Sequence, residues 1–277
     1  NLTKVMADHD PGYKKQLILA FNEKINLHSF ILDDADKFYK NFVLKDNKAG
    51  RVDIYTWDDG YWEKDKSNYE RNIETLFLNT DTHDNLINKI SKFQEPKTRR
   101  IYERLGLPYK LNLLLHGPPG TGKSSFIEII ASKYKKTIRY MHVTPKIKDT
   151  DFSKAISRLG GKDILVCEDI DCLFVDRKKN DKDKNCMTFS GLLNCFDGIT
   201  GGKNGLMIFL TTNYKCNLDS ALMRPGRIDL MEEFSYMNKK TLENMIRFYF
   251  QDNFNMDDFN KFSKYVEDLN VTGAILS

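Results

Sequence analysis

Residues 117–124 read Gly117-Pro118-Pro119-Gly120-Thr121-Gly122-Lys123-Ser124. This is G-x-x-x-x-G-K-[ST], the phosphate-binding loop pattern. Before it, Leu111-Asn112-Leu113-Leu114-Leu115 is a short apolar run that reads as a buried strand. After it, Ser125-Phe126-Ile127-Glu128-Ile129-Ile130 reads as the first turns of a helix that continues to about Lys133. Strand, glycine loop and helix are the setting the motif requires. The glycines let backbone N–H groups turn inward around phosphates, and the helix N-terminus adds unpaired N–H groups and partial positive charge. The stretch therefore predicts a nucleotide site made by Gly117, Pro118, Pro119, Gly120, Thr121, Gly122, Lys123, Ser124 and Ser125. Lys123 would reach the β- and γ-phosphates, and the Ser124 hydroxyl would bind Mg²⁺.

Outward from the loop, strands and helices alternate. Thr137 to Val143 reads as a strand and Thr150 to Leu159 as a helix. Asp163-Ile164-Leu165-Val166-Cys167-Glu168-Asp169-Ile170-Asp171 is a buried strand that ends in acids. After a phosphate loop and one helical crossover, one acid is expected to hold the Mg²⁺ shell and another to polarise the attacking water. Phe189 to Phe196 reads as a helix, and Leu206 to Leu210 as a further buried strand, which ends in Thr211-Thr212-Asn213. Ligands of such sheets bind at the carboxyl ends of the strands, so a polar residue of this strand end could sit beside the γ-phosphate. Arg224 and Arg227 flank a Pro-Gly turn, where packing explains them poorly. The alternation predicts an α/β fold: a doubly wound parallel sheet of P-loop type. Helices then follow at Lys239 to Phe250 and Met256 to Leu269, a helical tail.

Residues 1–78 differ. Gln16 to Phe21 reads as a strand and Ser29 to Val43 as an amphipathic helix. Arg51 to Trp57 alternates polar and apolar, and Asp58-Asp59-Gly60 turns the chain into Tyr61-Trp62-Glu63, a hairpin signal. This reads as a small α+β module whose aromatics form a core. Thr80 or Asp81 would cap the next helix, with Leu86, Ile87, Ile90 and Phe93 on its apolar face. A second helix, Lys97 to Leu105, would stop at Gly106. The expected domains are thus 1–78 (α+β), 79–235 (α/β nucleotide-binding) and 236–277 (helical lid, truncated).

The 277 residues are 40% apolar and 30% charged, with a net charge of +4. Lys and Asp alternate in most stretches, which argues against a dedicated polyanion surface. No stretch approaches the ~18 apolar residues of a membrane span. The chain starts at Asn1 and stops as a helix begins, so it reads as cut at both ends, with room for a targeting or membrane segment upstream. Five cysteines without C-x-x-C spacing read as free thiols in a reducing compartment. Asp176 to Lys184 is a highly charged loop, expected to be solvated.

The order of loop, acid pair, polar strand end, arginine pair and helical tail resembles an AAA ATPase over roughly residues 80–277. Gly117 to Ser124 resembles Walker A, Glu168 and Asp169 occupy the Walker B pair, and Asn213 falls at sensor 1. Arg224 and Arg227 fall at the arginine-finger positions of the signature A-L-x-R-P-G-R-x-D. The Glu168-Asp169 order, Leu107-Pro108-Tyr109-Lys110, Thr188 to Asn194 and Asp197-Gly198 resemble the Bcs-type subfamily. That subfamily is named for the mitochondrial inner-membrane chaperone that moves the folded Rieske iron–sulfur protein.

The resemblance implies ATP and Mg²⁺ as cofactors, with Ser124 and Glu168 on the metal side, the latter through water. Asp169 would polarise the attacking water, although Glu is one methylene longer and the reverse division stays open. Arg224 and Arg227 would act on a neighbour's γ-phosphate. Implied partners are copies of the chain in a hexameric or heptameric ring and a protein client. Membrane anchoring through an upstream segment would place it at the mitochondrial inner membrane, with a cytoplasmic location as the other option. Thr144-Pro145-Lys146-Ile147-Lys148-Asp149 lacks the aromatic and glycine of a peptide-threading pore loop, which fits handling of folded cargo. The alternative class is a nucleic-acid-dependent AAA ATPase of clamp-loader or initiator type. The scattered charge argues against it, and no nucleic acid is expected.

Overall fold

The computed structural model describes residues 50–143, 147–171, Gly191, Leu193, 205–224, 226–251, 254–266 and Thr272. The strand and helix expected between residues 16 and 43, the charged loop 176–184 and residues 144–146 lie outside these. Of the helix expected at 189–196, Gly191 and Leu193 are described, and both are helical.

The phosphate-loop strand β3 (Lys110–His116) is buried at every position, as befits the centre of a parallel sheet covered on both faces. Beside it lie β6 (Leu206–Thr212), also buried throughout, and β7 (Leu230–Glu233), both parallel to it. Beyond β6 come β5 (Asp163–Cys167) and then β4 (Thr137–Tyr140), again parallel. The hairpin of β1 (Arg51–Asp58) and β2 (Tyr61–Tyr69) completes a seven-stranded sheet of order β2-β1-β4-β5-β6-β3-β7. This is the expected α/β doubly wound sheet of P-loop type.

One expectation changes. The sequence places the hairpin in an N-terminal module ending at residue 78, but β1 pairs in parallel with β4, Ile54 against Ile138. Residues from Gly50 onward form one compact unit. The sheet therefore runs across the expected boundary, and the division falls between residues 49 and 50. Long-range pairing, rather than local composition, sets that boundary. The core reading of the hairpin aromatics fits Trp57, which is 8% exposed and meets Trp62 edge-on at 5.2 Å, but not Tyr61 and Tyr69, which lie exposed on the edge strand β2.

Alternating side chains serve two cores. Leu113 and Leu115 of β3, Ile164 and Val166 of β5, and Phe209 of β6 face one side. There they meet Leu86, Ile90 and Phe93 of α1 (Thr80–Gln94) and Phe126, Ile127 and Ile130 of α3 (Lys123–Lys133). Leu114, Leu165, Ile208 and Leu210 face the other, against Phe152, Ala155 and Ile156 of α4 (Asp149–Ser157). Between α1 and β3, α2 (Pro96–Leu105) ends at Gly106 in the left-handed conformation, with Leu107 N–H donating to Tyr102 O at 2.9 Å. Helices α5 (Lys239–Phe250) and α6 (Met256–Val266) follow the sheet and share a small core of Leu242 and Phe259.

The cap of α1 also differs from expectation. Its N-cap is Asn79, and no side-chain bond caps the helix. Asn79 is engaged elsewhere. Its Nδ2 donates to Ser235 Oγ (2.8 Å) and Tyr236 O (3.1 Å), while its Oδ1 accepts from Asn238 N–H (3.1 Å) and Thr241 Oγ1 (2.9 Å). The segment before α1 is thereby tied to the start of α5.

Candidate functional site

Gly117 takes φ 137° immediately after β3. A Cβ built there would lie 2.1 Å from Phe234 O, so only glycine lets the loop leave the sheet beside β7. Gly117→Ala combines that collision with left-handed strain. It is expected to cost about 2–4 kcal/mol, read as a lower denaturation midpoint at unchanged slope. Gly120 and Gly122 also have positive φ, and α3 begins at Lys123 with Gly122 as its N-cap.

Lys123 is 8% exposed, and its Nζ donates to Gly117 O (2.6 Å), Pro118 O (2.9 Å) and Asn213 Oδ1 (2.8 Å). Asn213, just past β6, donates from Nδ2 to Asp169 Oδ1 at 3.2 Å. Asp169 sits at φ 50°, a conformation that Asp tolerates better than most residues, and its N–H donates to Thr211 Oγ1 at 3.2 Å. Ser124 Oγ donates to Glu168 Oε1 at 2.6 Å. Lys123, Ser124, Glu168, Asp169 and Asn213 thus converge at the carboxyl ends of β3, β5 and β6. Burial holds the Lys123 ammonium below the ordinary lysine range, against the opposing pull of Asp169, Glu168 and Asp171.

These residues line a cavity of about 510 Å³. One end is polar, with Lys123, Glu168, Asp169 and Asn213. The other includes Leu76, Phe77, Met237, Met245 and Tyr249. The donor set fits a nucleoside triphosphate. A buried ammonium now resting on carbonyl and amide oxygens can meet phosphate oxygens in their place, and the apolar end suits a base. Ser124 and Glu168 are the pair that would hold Mg²⁺. No cluster of three His, Cys, Asp or Glu residues forms a metal cage among the described residues. A Mg²⁺ here would therefore also draw on phosphate oxygens and water, its usual habit.

Arg224 and Arg227 lie elsewhere. Asn112, at the amino-terminal side of β3, donates from Nδ2 to Arg227 O (2.8 Å) and from its N–H to Asp229 Oδ2 (2.8 Å). That anchor lies about 16 Å along the sheet from Gly117, at ~3.3 Å per residue. Neither arginine lines the cavity. Arg224 is exposed, and Arg227 donates from Nη1 to Ala221 O at 2.8 Å.

Sequence reasoning passed over the segment between β2 and α1 and the cavity face of α5. Phe77 packs edge-on against Phe248 at 5.4 Å and lies 6.0 Å from Tyr249. The sequence signal was faint: Leu76-Phe77-Leu78 is an apolar run too short to show a period. Among the described cysteines, Cys167 is buried in β5 and Cys216 is exposed. No described helix is long and apolar enough to cross a membrane.

His116, the last residue of β3, is 7% exposed, and burial pushes its pKa below the ordinary 6.5. The unfolded chain therefore takes up this proton first as pH falls. The stability that neutral His116 contributes is complete above pH 6.5 and is lost progressively below it. Thermal melting is expected to fall from about pH 6.5 downward, and His116→Asn to flatten that part of the profile.

A parallel sheet with a glycine loop, a buried lysine and an acid pair at its carboxyl edge defines a P-loop nucleotide-binding protein. Residues 113–236 match the model of the "ATPase family associated with various cellular activities (AAA)". The chain carries an AAA domain, and ATP with Mg²⁺ is the usual cofactor pair of this ATPase family. It is 31% identical to AAA-ATPase At3g50940 of Arabidopsis thaliana over 255 residues, which cover 88% of this chain and 54% of the relative. It is 34% identical to AAA-ATPase At5g17760 of the same plant, over 84% of the chain and 48% of the relative. A third Arabidopsis relative, "AAA-ATPase At3g28570, mitochondrial", is 35% identical over 64% of the chain and 41% of its own length. The chain spans about half the length of these curated relatives.

Proposed function

We propose that this chain is the motor part of a ring ATPase that hydrolyses Mg²⁺-ATP to move or remodel a protein client. The observation that carries the reading is the separation of two half-sites. Lys123, Ser124, Glu168, Asp169 and Asn213 converge on one cavity, while the turn that carries Arg224 and Arg227 is anchored at Asn112, toward the amino-terminal side of β3, and neither arginine lines that cavity. Arginines so placed reach a γ-phosphate only if it belongs to a neighbour, as in a hexameric or heptameric ring.

Within one site Lys123 neutralises charge on the β- and γ-phosphates, while Ser124 and Glu168 hold the Mg²⁺ side. Mg²⁺ supplies charge neutralisation at the phosphate oxygens. Asp169 orients and polarises the attacking water, with Asn213 fixing its carboxylate. Residues 50–235 make the α/β body and 236–277 the lid. The Bcs-type sequence features, together with a 144–149 stretch lacking aromatic and glycine, favour a folded client over a threaded one. A Bcs-type assignment also favours a membrane-anchored setting, through a segment outside this chain.

The test is ATPase rate against protein concentration. Specific activity should rise steeply as copies assemble and should disappear when Mg²⁺ is chelated. Unchanged specific activity at dilutions where the chain is shown to be monomeric would rule out completion of the site by a neighbour.

A further inference from the structure

We propose that Arg71 is a nucleotide-contacting residue, a cation brought in cis from the segment after β2 to the phosphate nearest the sugar. This rests on reading the 510 Å³ cavity as the nucleotide site. Arg71 lines that cavity together with Thr75. Its Nη1 donates to Ser125 Oγ at 2.8 Å and its Nε to Thr75 Oγ1 at 3.3 Å. Its nearest acid is Glu128, whose Oε2 stands 3.9 Å from Nη1. Two neutral hydroxyls and one carboxylate at the edge of ion-pair range do not saturate a guanidinium, which carries five donors. The side chain is 38% exposed, so the head is open to an anion entering the cavity.

Position along the cavity identifies which phosphate it meets. Lys123, Asp169 and Asn213 mark the γ end, and Phe77, Met245 and Tyr249 mark the base end. Ser125 follows Ser124 on α3, one residue further from the lysine. Arg71 is bonded to Ser125 and precedes Phe77 by a few residues in the chain, so by bonding and by sequence it stands between these two groups. The α-phosphate occupies that interval in a nucleotide so oriented. The backbone adds a second consequence. Arg71 N–H donates to Ser132 Oγ at 2.9 Å, and Asn68 Nδ2, on β2, donates to Glu128 Oε1 at 3.3 Å. The hairpin is thereby fastened to the outer face of α3 at the residue that would touch the nucleotide.

The competing account is that Arg71 only scaffolds α3 through Ser125, Glu128 and Ser132. Titrating the chain with ADP, AMP and adenosine separates the two, using the wild type, Arg71→Ala, Arg71→Lys and Glu128→Gln. Arg71→Ala is expected to weaken ADP and AMP alike, by about 10- to 100-fold, the range of a charge-assisted hydrogen bond, and to leave adenosine unchanged. Arg71→Lys should recover part of the loss. Glu128→Gln, which removes a competitor for the guanidinium, should leave ADP affinity equal or higher. Equal losses for adenosine, or a Glu128→Gln defect matching that of Arg71→Ala, would establish scaffolding and overturn the proposal. A loss for ADP without one for AMP would move the cation off the α-phosphate and likewise overturn it. Failure of the wild type to bind ADP would overturn the nucleotide site itself, and Arg71's role with it.

Discussion

Lys123→Ala should lower ATP turnover by about 10²–10³-fold or more, the loss typical of removing one preorganised charge-stabilising donor. The local chemistry pushes the effect toward the upper end. Lys123 is the positive charge set among Glu168, Asp169 and Asp171, whose pull on it is evident. Without it, a triphosphate entering the cavity meets carboxylates with less to offset them. The variant also removes the ammonium that now satisfies Gly117 O, while Pro118 O keeps the Thr121 hydroxyl. Lys123→Met keeps most of the stem and should lose turnover just as severely while melting closer to wild type. Substantial ATPase in a folded Lys123→Met protein would show that the loop is not the hydrolytic site.

Arg224→Ala is expected to cost about 10³–10⁵-fold in turnover, the range for an arginine that stabilises phosphoryl-transfer charge, while leaving ATP affinity nearly unchanged. Arg227→Ala should look different. Its guanidinium holds Ala221 O, so part of its loss will appear as lower stability. The decisive measurement mixes two dead proteins. Arg224→Ala protomers keep an intact phosphate loop, and Lys123→Ala protomers keep an intact arginine. If the arginine acts across an interface, mixed assemblies contain sites with both parts. Random mixing at equal amounts completes about one quarter of all sites. Activity that stays at the level of the unmixed variants, in assemblies shown to exchange subunits, would mean that the arginine does not serve a neighbour.

Much of the site was legible because it is local. Gly117 to Ser124 sit in one strand–loop–helix unit whose geometry the glycine spacing dictates. Glu168, Asp169 and Asn213 follow apolar runs whose carboxyl ends must lie beside that loop in a parallel sheet. The base end was not legible. Phe77, Met237, Met245 and Tyr249 come from a linker and a lid, and only the docking of one on the other makes them neighbours. The hairpin shows the same limit from the other side. Its alternation identifies two strands, but nothing in Arg51 to Trp57 announces that β4 is their partner. The cap of α1 differs from expectation for a related reason: the Asn79 side chain binds residues 235–241 rather than its own helix.

Asn79 also fixes the start of α5 to the segment before α1. Four bonds converge on one small side chain, all from residues 235–241. Helix α5 is thereby held at its first turn, and any rotation of it would turn about this point. It extends from there for 12 residues, a lever of about 18 Å at 1.5 Å per residue. A swing of about 10° would carry its far end, where Phe248 and Tyr249 meet Phe77, through about 3 Å. That is enough to break or remake the aromatic contact at the mouth of the cavity. Small rotations at the joint are thereby magnified where the base would sit.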